Sequence, residues 1–316
     1  MFINVLLFAL GFALLIKGGD WFVDAASSIA HRFNMSELLI GATVVSIGTT
    51  LPEVMVSAQG AMVGSGSIAF GNAVGSIICN TSLIAAITLI AKPSSIDRKT
   101  LVVPSVAFFI AAAFYAFNAY AFGAFSRTVG VVLLAMFLAY MVFTVLHMRK
   151  DSGAPAEDAP EPEHSFAHDV FMLVLGAIVI AIGARLLVGN AQVIATALGV
   201  PESVIALTLV ALGTSLPELV TAITSLLKGL SALSLGNIIG ANLFNLVLVS
   251  GTAMTISPFD LSSASATSLS VDIPLMLFVM LVMTVPALVS GKLRRWQGIV
   301  LLSAYALYCG FQFFMT

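Results

Sequence analysis

The sequence predicts an all-α membrane protein of ten transmembrane helices, arranged as two inverted five-helix repeats. Three observations carry this reading. The 316 residues are 59% hydrophobic and only 9% charged, where soluble domains carry roughly 25% charged residues. Apolar segments of membrane-crossing length recur from end to end of the chain. Residues 18–84 also align with residues 183–249 without a gap, at a constant offset of 165.

Such a composition supplies too little polar surface to cover a globule in water. Net charge is −2, which leaves no bulk electrostatic argument for nucleic acid. Cys79 and Cys309 lie in apolar stretches and offer neither a disulfide framework nor metal-ligand spacing. No phosphate-binding signature appears, so neither a nucleotide nor another cofactor is expected. The opening MFINVLLFALGFALLIKGGD lacks a basic leader and a small-residue cleavage site and reads as the first span.

A bilayer core of ~30 Å requires roughly 20 apolar residues per helix. Ten segments qualify: 3–24, 36–61, 70–91, 101–119, 127–147, 169–191, 202–227, 234–256, 270–290 and 296–314. Most breaks between them carry Gly, Pro, Ser or charge, as turns do. The stretch 149–168 is polar, acidic and Pro-rich, and reads as a cytoplasmic linker. It separates a first five-helix repeat at 1–148 from a second at 169–316.

The basic residues set the orientation. With the N-terminus outside, the cytoplasmic side holds Arg32, Lys92, Arg98, Lys99, Arg149, Lys150, Lys228, Lys292, Arg294 and Arg295. The outer side holds only Arg127, while Lys17 and Arg185 sit near span ends where long side chains snorkel. This positive-inside bias places both termini on the periplasmic or extracellular face of a plasma membrane. Five spans is an odd number, so the second repeat enters the membrane from the opposite side. Inverted repeats of this kind are the plan of secondary transporters, whose sites lie at the midplane where the repeats meet.

The repeat aligns chemistry as well as hydropathy. Twenty of 67 positions are identical, and the two motif segments are 41–84 and 206–249. GTTLPE at 48–53 matches GTSLPE at 213–218, Gly71-Asn72 matches Gly236-Asn237, Gly75 matches Gly240, and Asn80 matches Asn245. Apolar composition alone does not align Pro-Glu and Gly-Asn pairs together.

Glu53 and Glu218 lie well inside spans 2 and 7, where a carboxylate costs a few kcal/mol or more unless paired, hydrated or protonated. No basic residue sits at comparable depth, so a bound cation is the natural partner. Thr49 and Thr50 precede Glu53 by four and three residues and share its helical face, as Thr214 and Ser215 do for Glu218. Pro52 and Pro217 each free the carbonyl four residues back, at Gly48 and Gly213, and Gly beside Pro favours a kink. The predicted result is an all-oxygen site for a hard cation, of which Ca²⁺ tolerates the most flexible ligation. In span 3, Asn72, Ser76 and Asn80 share one face; their counterparts in span 8 are Asn237, Ala241 and Asn245. Two carboxylates are neutralised by one Ca²⁺ or two Na⁺, so competition between those ions yields antiport. Asp20 and Asp24, near the cytosolic end of span 1, read as interfacial charges or gate pairs rather than ligands.

GTTLPE followed by GNAVGS, and GTSLPE followed by GNIIGANLFN, resemble the two repeats of the calcium:cation antiporter superfamily, in its sodium/calcium exchanger branch. The GAN form in the second repeat is similar to the bacterial inner-membrane YrbG-type branch. The resemblance covers the whole ten-span layout. It implies a central Ca²⁺ site flanked by Na⁺ sites, with Glu53 and Glu218 as shared ligands. It further implies oxygens from Thr49, Thr50, Thr214, Ser215, Ser76 and Asn80, backbone carbonyls at Ser46 and Ala211, and a role for Asn245. Spans 1 and 6 would then form a sliding gate. The sequence departs from the exchanger pattern at Asn245, where many members carry aspartate, at Ala241, where many carry serine, and at Ile77.

Other classes fit less well. An H⁺/Ca²⁺ antiporter with proton-carrying glutamates is the nearest alternative, but that branch carries a different glutamate motif. An intramembrane hydrolase needs a metal-binding His pair or an aspartate dyad, and His31, His147, His164 and His168 lie at loops and ends. A transporter rather than an enzyme is the expectation.

Overall fold

The structure, a computed structural model, describes residues 2–151, 164–199, 211–261 and 268–315. Among the described residues the regular structure is all helical apart from four two-residue strands. Helices are numbered here by membrane crossing. They are α1 (Phe2–Arg32), α2 (Glu37–Met62), α3 (Gly66–Ala91), α4 (Arg98–Phe122) and α5 (Arg127–Asp151). The second half supplies α6 (Phe166–Ala197), α7 (Ala211–Thr214 and Leu216–Leu227), α8 (Ser231–Ile256), α9 (Ser268–Ser290) and α10 (Arg295–Met315). The strands are β1 (Ser94–Ser95), β2 (Ala124–Phe125), β3 (Phe259–Asp260) and β4 (Lys292–Leu293). Eight described helices are long and apolar enough to cross a bilayer. Their outward faces carry large apolar side chains such as Phe117, Leu138 and Phe171, as a lipid-facing surface requires.

Each half repeats the other in backbone detail. Among the described residues the positive-φ positions form three pairs. Asn34 and Gly199 are separated by the repeat offset, Gly64 and Gly229 likewise, and Gly123 matches Gly291 at the far end of each repeat. A π-helical turn begins at Asn80 in α3 (Asn80–Ala85) and at the equivalent Asn245 in α8 (Asn245–Val249). Such turns insert a residue into the helix and cluster at functional sites.

The strands tie the halves together. β1 pairs antiparallel with β4, and β2 with β3. Paired strands lie on one side of a membrane, so an even number of crossings must separate them. The six spans between residues 95 and 292, and the four between 125 and 259, satisfy this. The repeat equivalents β1 and β3 are five crossings apart and fall on opposite sides.

α1 and α6 lie along one another with small residues at the contact. A Cβ on Gly11 would stand 2.8 Å from the Gly183 carbonyl oxygen, and one on Gly176 would stand 2.8 Å from the Phe22 nitrogen. Small residues let membrane helices approach this closely. Polar clasps close both ends of the pair. Asn4 donates to Asn190 at 3.1 Å, and Ser28 donates to Asp169 at 2.8 Å, where Arg32 also reaches the carboxylate at 3.3 Å. At their lengths of 31 and 32 residues, these helices exceed the ~30 Å core and must tilt or project beyond it.

The observed boundaries differ from the expected ones in places. α5 continues to Asp151 and α6 begins at Phe166, so helix enters the expected 149–168 linker from both sides. Residues 152–163 lie outside the described residues. The same holds for residues 200–210, the start of the span expected at 202–227. The two Pro-Glu motifs are also not identical. Pro52 sits inside a continuous helix, Ser46–Met62, preceded by a π-helical Gly41–Val45. Pro217 instead stands at the start of a new helix after a break at Ser215. The first motif lies in an unbroken helix; the second follows a break.

Candidate ion-binding site

α2, α3, α7 and α8 meet at the centre of the molecule, and they meet across the repeats. α2 packs on the π-turn of α8, and α7 packs on the π-turn of α3. This crossing brings the two Pro-Glu motifs together. Glu53 and Glu218 are fully buried, and their carboxyl groups are electrostatic neighbours. None of the four carboxyl oxygens has a hydrogen-bond partner.

The surrounding oxygens follow the same pattern. The hydroxyls of Thr50 and Ser215 are buried without partners. Both polar atoms of the Asn80 amide are likewise unpartnered. Asn245 spends its Nδ2 on the Ala241 carbonyl at 3.0 Å, which leaves its Oδ1 buried and free. Ser76 is buried one turn before Asn80. Thr214 is half-buried beside the break in α7. Ala211 begins the described part of α7. Ala241, the counterpart of Ser76, is fully buried and brings no hydroxyl.

Thr49 and Ser46 are held from the opposite repeat. The Thr49 hydroxyl lies beside Glu218 and donates to Asn237 Oδ1 at 3.1 Å. The Ser46 hydroxyl lies 2.7 Å from the Gly41 carbonyl and 3.0 Å from that of Asn237. Asn237 thus positions two residues of the first motif. Its equivalent Asn72 does something different, donating to the Glu53 carbonyl at 3.1 Å and to Ser57 Oγ at 2.9 Å within its own repeat. The periodicity of α8 carries no signal that Asn237 reaches across to α2, because that contact depends on how the repeats cross.

A buried, unpartnered polar atom costs about 1–3 kcal/mol, and an uncompensated buried carboxylate considerably more. Here two carboxylates and several neutral oxygens are orphaned in one place, while buried polar groups elsewhere in proteins are overwhelmingly paired. The arrangement lacks positive charge and offers only oxygen donors. It fits a hard cation, or protons on the glutamates.

The two entrances to this centre are unequal. On α8, a Cβ built at Gly236 would stand 2.1 Å from the Leu38 carbonyl oxygen, and one at Gly240 would stand 2.6 Å from Ala42 Cα. On α3, no described atom lies within 4 Å of a Cβ built at the equivalent Gly71 or Gly75. Gly236, Asn237 and Gly240 are buried, whereas Gly71 is exposed and Asn72 and Gly75 are half-buried. Among the described residues the α8 side of the site is closely packed; Ser203 and Leu207, the equivalents of Leu38 and Ala42 on the α3 side, lie outside the described residues.

Comparison with known proteins agrees with this architecture. The sodium/calcium exchanger protein family matches residues 3–146 and 168–314. Sodium/calcium exchanger MaX1 of Methanosarcina acetivorans is 30% identical over 347 residues, covering 97% of each chain. Inner membrane protein YrbG of Escherichia coli is 31% identical over 265 residues, covering 82% of this chain and 81% of that one. A solved structure of the sodium-calcium exchanger NCX_Mj, soaked with Na⁺ and Ca²⁺, superposes with a TM-score of 0.79 at 34% identity, covering 96% of this chain and 97% of that one. The ten-span layout, the doubled motif and these matches over nearly the full length make the chain a member of the sodium/calcium exchanger family of membrane proteins.

Proposed function

We propose that the chain is a secondary active transporter that exchanges Ca²⁺ for Na⁺ by alternating access, with Glu53 and Glu218 as shared ligands at the midplane. The observation that carries this reading is the pair of buried, unpartnered carboxylates ringed by unpartnered neutral oxygens from both repeats. One Ca²⁺ or two Na⁺ balance the two charges, so the ions compete for one set of ligands. Thr49, Thr50, Thr214, Ser215, Ser76, Asn80 and Asn245, with the carbonyls of Ser46 and Ala211, complete the proposed ligand set. The names of the relatives, which refer to sodium/calcium exchange, support the choice of ions. The close packing of Gly236 on Leu38, beside the exposed Gly71, supports alternation, since inverted repeats can exchange such roles. Charge bias places the closely packed side toward the cytoplasm and both termini outside, in a plasma membrane.

The test is ⁴⁵Ca²⁺ flux in proteoliposomes under an imposed Na⁺ or H⁺ gradient. A Na⁺ gradient alone is expected to drive Ca²⁺ movement. Movement driven by H⁺ alone would assign the glutamates to proton exchange instead. Ala241 adds a second test. Ala241→Ser restores to α8 the hydroxyl that Ser76 supplies to α3. The variant is expected to raise the Na⁺ Hill coefficient of exchange; an unchanged coefficient would remove Ala241 from the account of sodium binding.

A further inference from the structure

Lys228 lies just after α7, in the turn to α8 that Gly229 closes at φ +83°. Its ammonium stands 2.7 Å from Asp24 Oδ1 and 3.4 Å from Asp20 Oδ1 on α1, and 3.4 Å from the Asp20 carbonyl. The α7–α8 hairpin is thereby tied to α1 at the end of the molecule where Gly236 and Gly240 seal α8 against α2. The repeat offset gives the residues that would build the same tie at the opposite end. Val63 replaces Lys228, Arg185 replaces Asp20, and Gly189 replaces Asp24. A valine facing an arginine and a glycine makes no ion pair. The hydroxyl inside the seal shows the same one-sidedness: Ser46 reaches Asn237, but its equivalent, across from Asn72, is Ala211.

We propose that Lys228 is a one-sided latch that holds the cytoplasmic entrance shut through Asp20 and Asp24, with no counterpart at the positions equivalent under the repeat. This rests on the alternating-access reading and its orientation. Two states that would be equal in a perfectly symmetric duplicate are made unequal by ties present in only one of them. A ligand approaching from the side whose open state is scarce binds with an affinity reduced by that scarcity. The latch thus penalises Ca²⁺ binding from the cytoplasm and leaves outer binding nearly untouched. Both pairs are partly exposed, so the tie is modest and tunable.

The experiment compares wild type, Lys228→Gln, and the exchanged pair Asp24→Lys with Lys228→Asp in sidedness-sorted proteoliposomes. Lys228→Gln is expected to lower the half-saturating Ca²⁺ concentration at the cytoplasmic face by about threefold to tenfold. The value at the outer face stays within about twofold, and the exchanged pair restores wild-type values. A second readout needs no transport. In a background with Cys79→Ala and Cys309→Ala, a Leu233→Cys probe in the seal is read by an impermeant thiol reagent added from the cytoplasmic side. Lys228→Gln is expected to speed its modification at least threefold. Equal shifts at both faces, or unchanged modification, overturn the latch. Absence of Na⁺-driven exchange in wild type, with modification still accelerated, counts against the exchange reading alone.

Discussion

Replacing Glu53 or Glu218 by glutamine is expected to lower Na⁺-driven ⁴⁵Ca²⁺ exchange by about 100-fold or more. The substitution keeps side-chain shape and removes one of the two carboxylate charges buried at the site. A Ca²⁺ left with a single carboxylate in a desolvated centre has lost the partner that balanced its second charge. Stability separates this effect from misfolding. Neither carboxylate has a hydrogen-bond partner within the protein, so the neutral variant sheds a burial cost and its melting temperature without added ions should equal or exceed that of wild type. Added Ca²⁺ should raise the melting temperature of wild type, because a ligand that binds only the native state stabilises it. That shift should shrink or vanish in both variants. Full transport in either variant would remove that glutamate from the site.

The second large effect contrasts one substitution at two equivalent positions. Gly236→Ala places a Cβ 2.1 Å from the Leu38 carbonyl oxygen, a backbone atom with little freedom to yield. It is expected to destabilise the protein by about 1–3 kcal/mol, the usual cost of overpacking, and to pry open the sealed entrance. Gly71, the equivalent position, is exposed. Gly71→Ala is expected to fold like wild type and keep its Ca²⁺-induced thermal shift. If the repeats exchange roles during transport, however, Gly71 must later occupy the tight setting that Gly236 occupies here. Gly71→Ala should therefore bind Ca²⁺ normally and turn over at least tenfold more slowly. Equilibrium binding and flux on the same preparation read the two quantities apart. Wild-type turnover in Gly71→Ala would show that the outer entrance does not close by the same glycine interlock.

Much of this was legible in the sequence because it is written as pattern. Hydropathy marks the spans, and an offset of 165 pairs Glu53 with Glu218 and Asn80 with Asn245. A carboxylate deep in an apolar span signals function because burying it is costly. What stayed hidden depends on how distant segments cross. The π-turns at Asn80 and Asn245 carry no periodicity signal, since one inserted residue disturbs a helical pattern too little to see. Asn237 holding Thr49, and Lys228 holding Asp20 and Asp24, join residues about 190 to 210 positions apart. The alignment set Asp20 opposite Arg185, but equivalence under the repeat is not contact; the spatial partner of Asp20 is Lys228. The Pro-Glu motifs look interchangeable as text, yet one lies within a continuous helix and the other starts a new one.

The strand pairs have a consequence of their own. β1 finds its partner in β4 and β2 in β3, so every short ladder joins one repeat to the other. A solitary repeat would expose two unmatched edges, one at each membrane surface. Two copies of a five-helix subunit, inserted in opposite directions, would complete those edges for each other with the same hydrogen bonds. The fused chain therefore preserves the bonding rules of an antiparallel homodimer. Once a linker joined the copies, each was free to diverge, and an asymmetry such as that between Ser76 and Ala241 became possible.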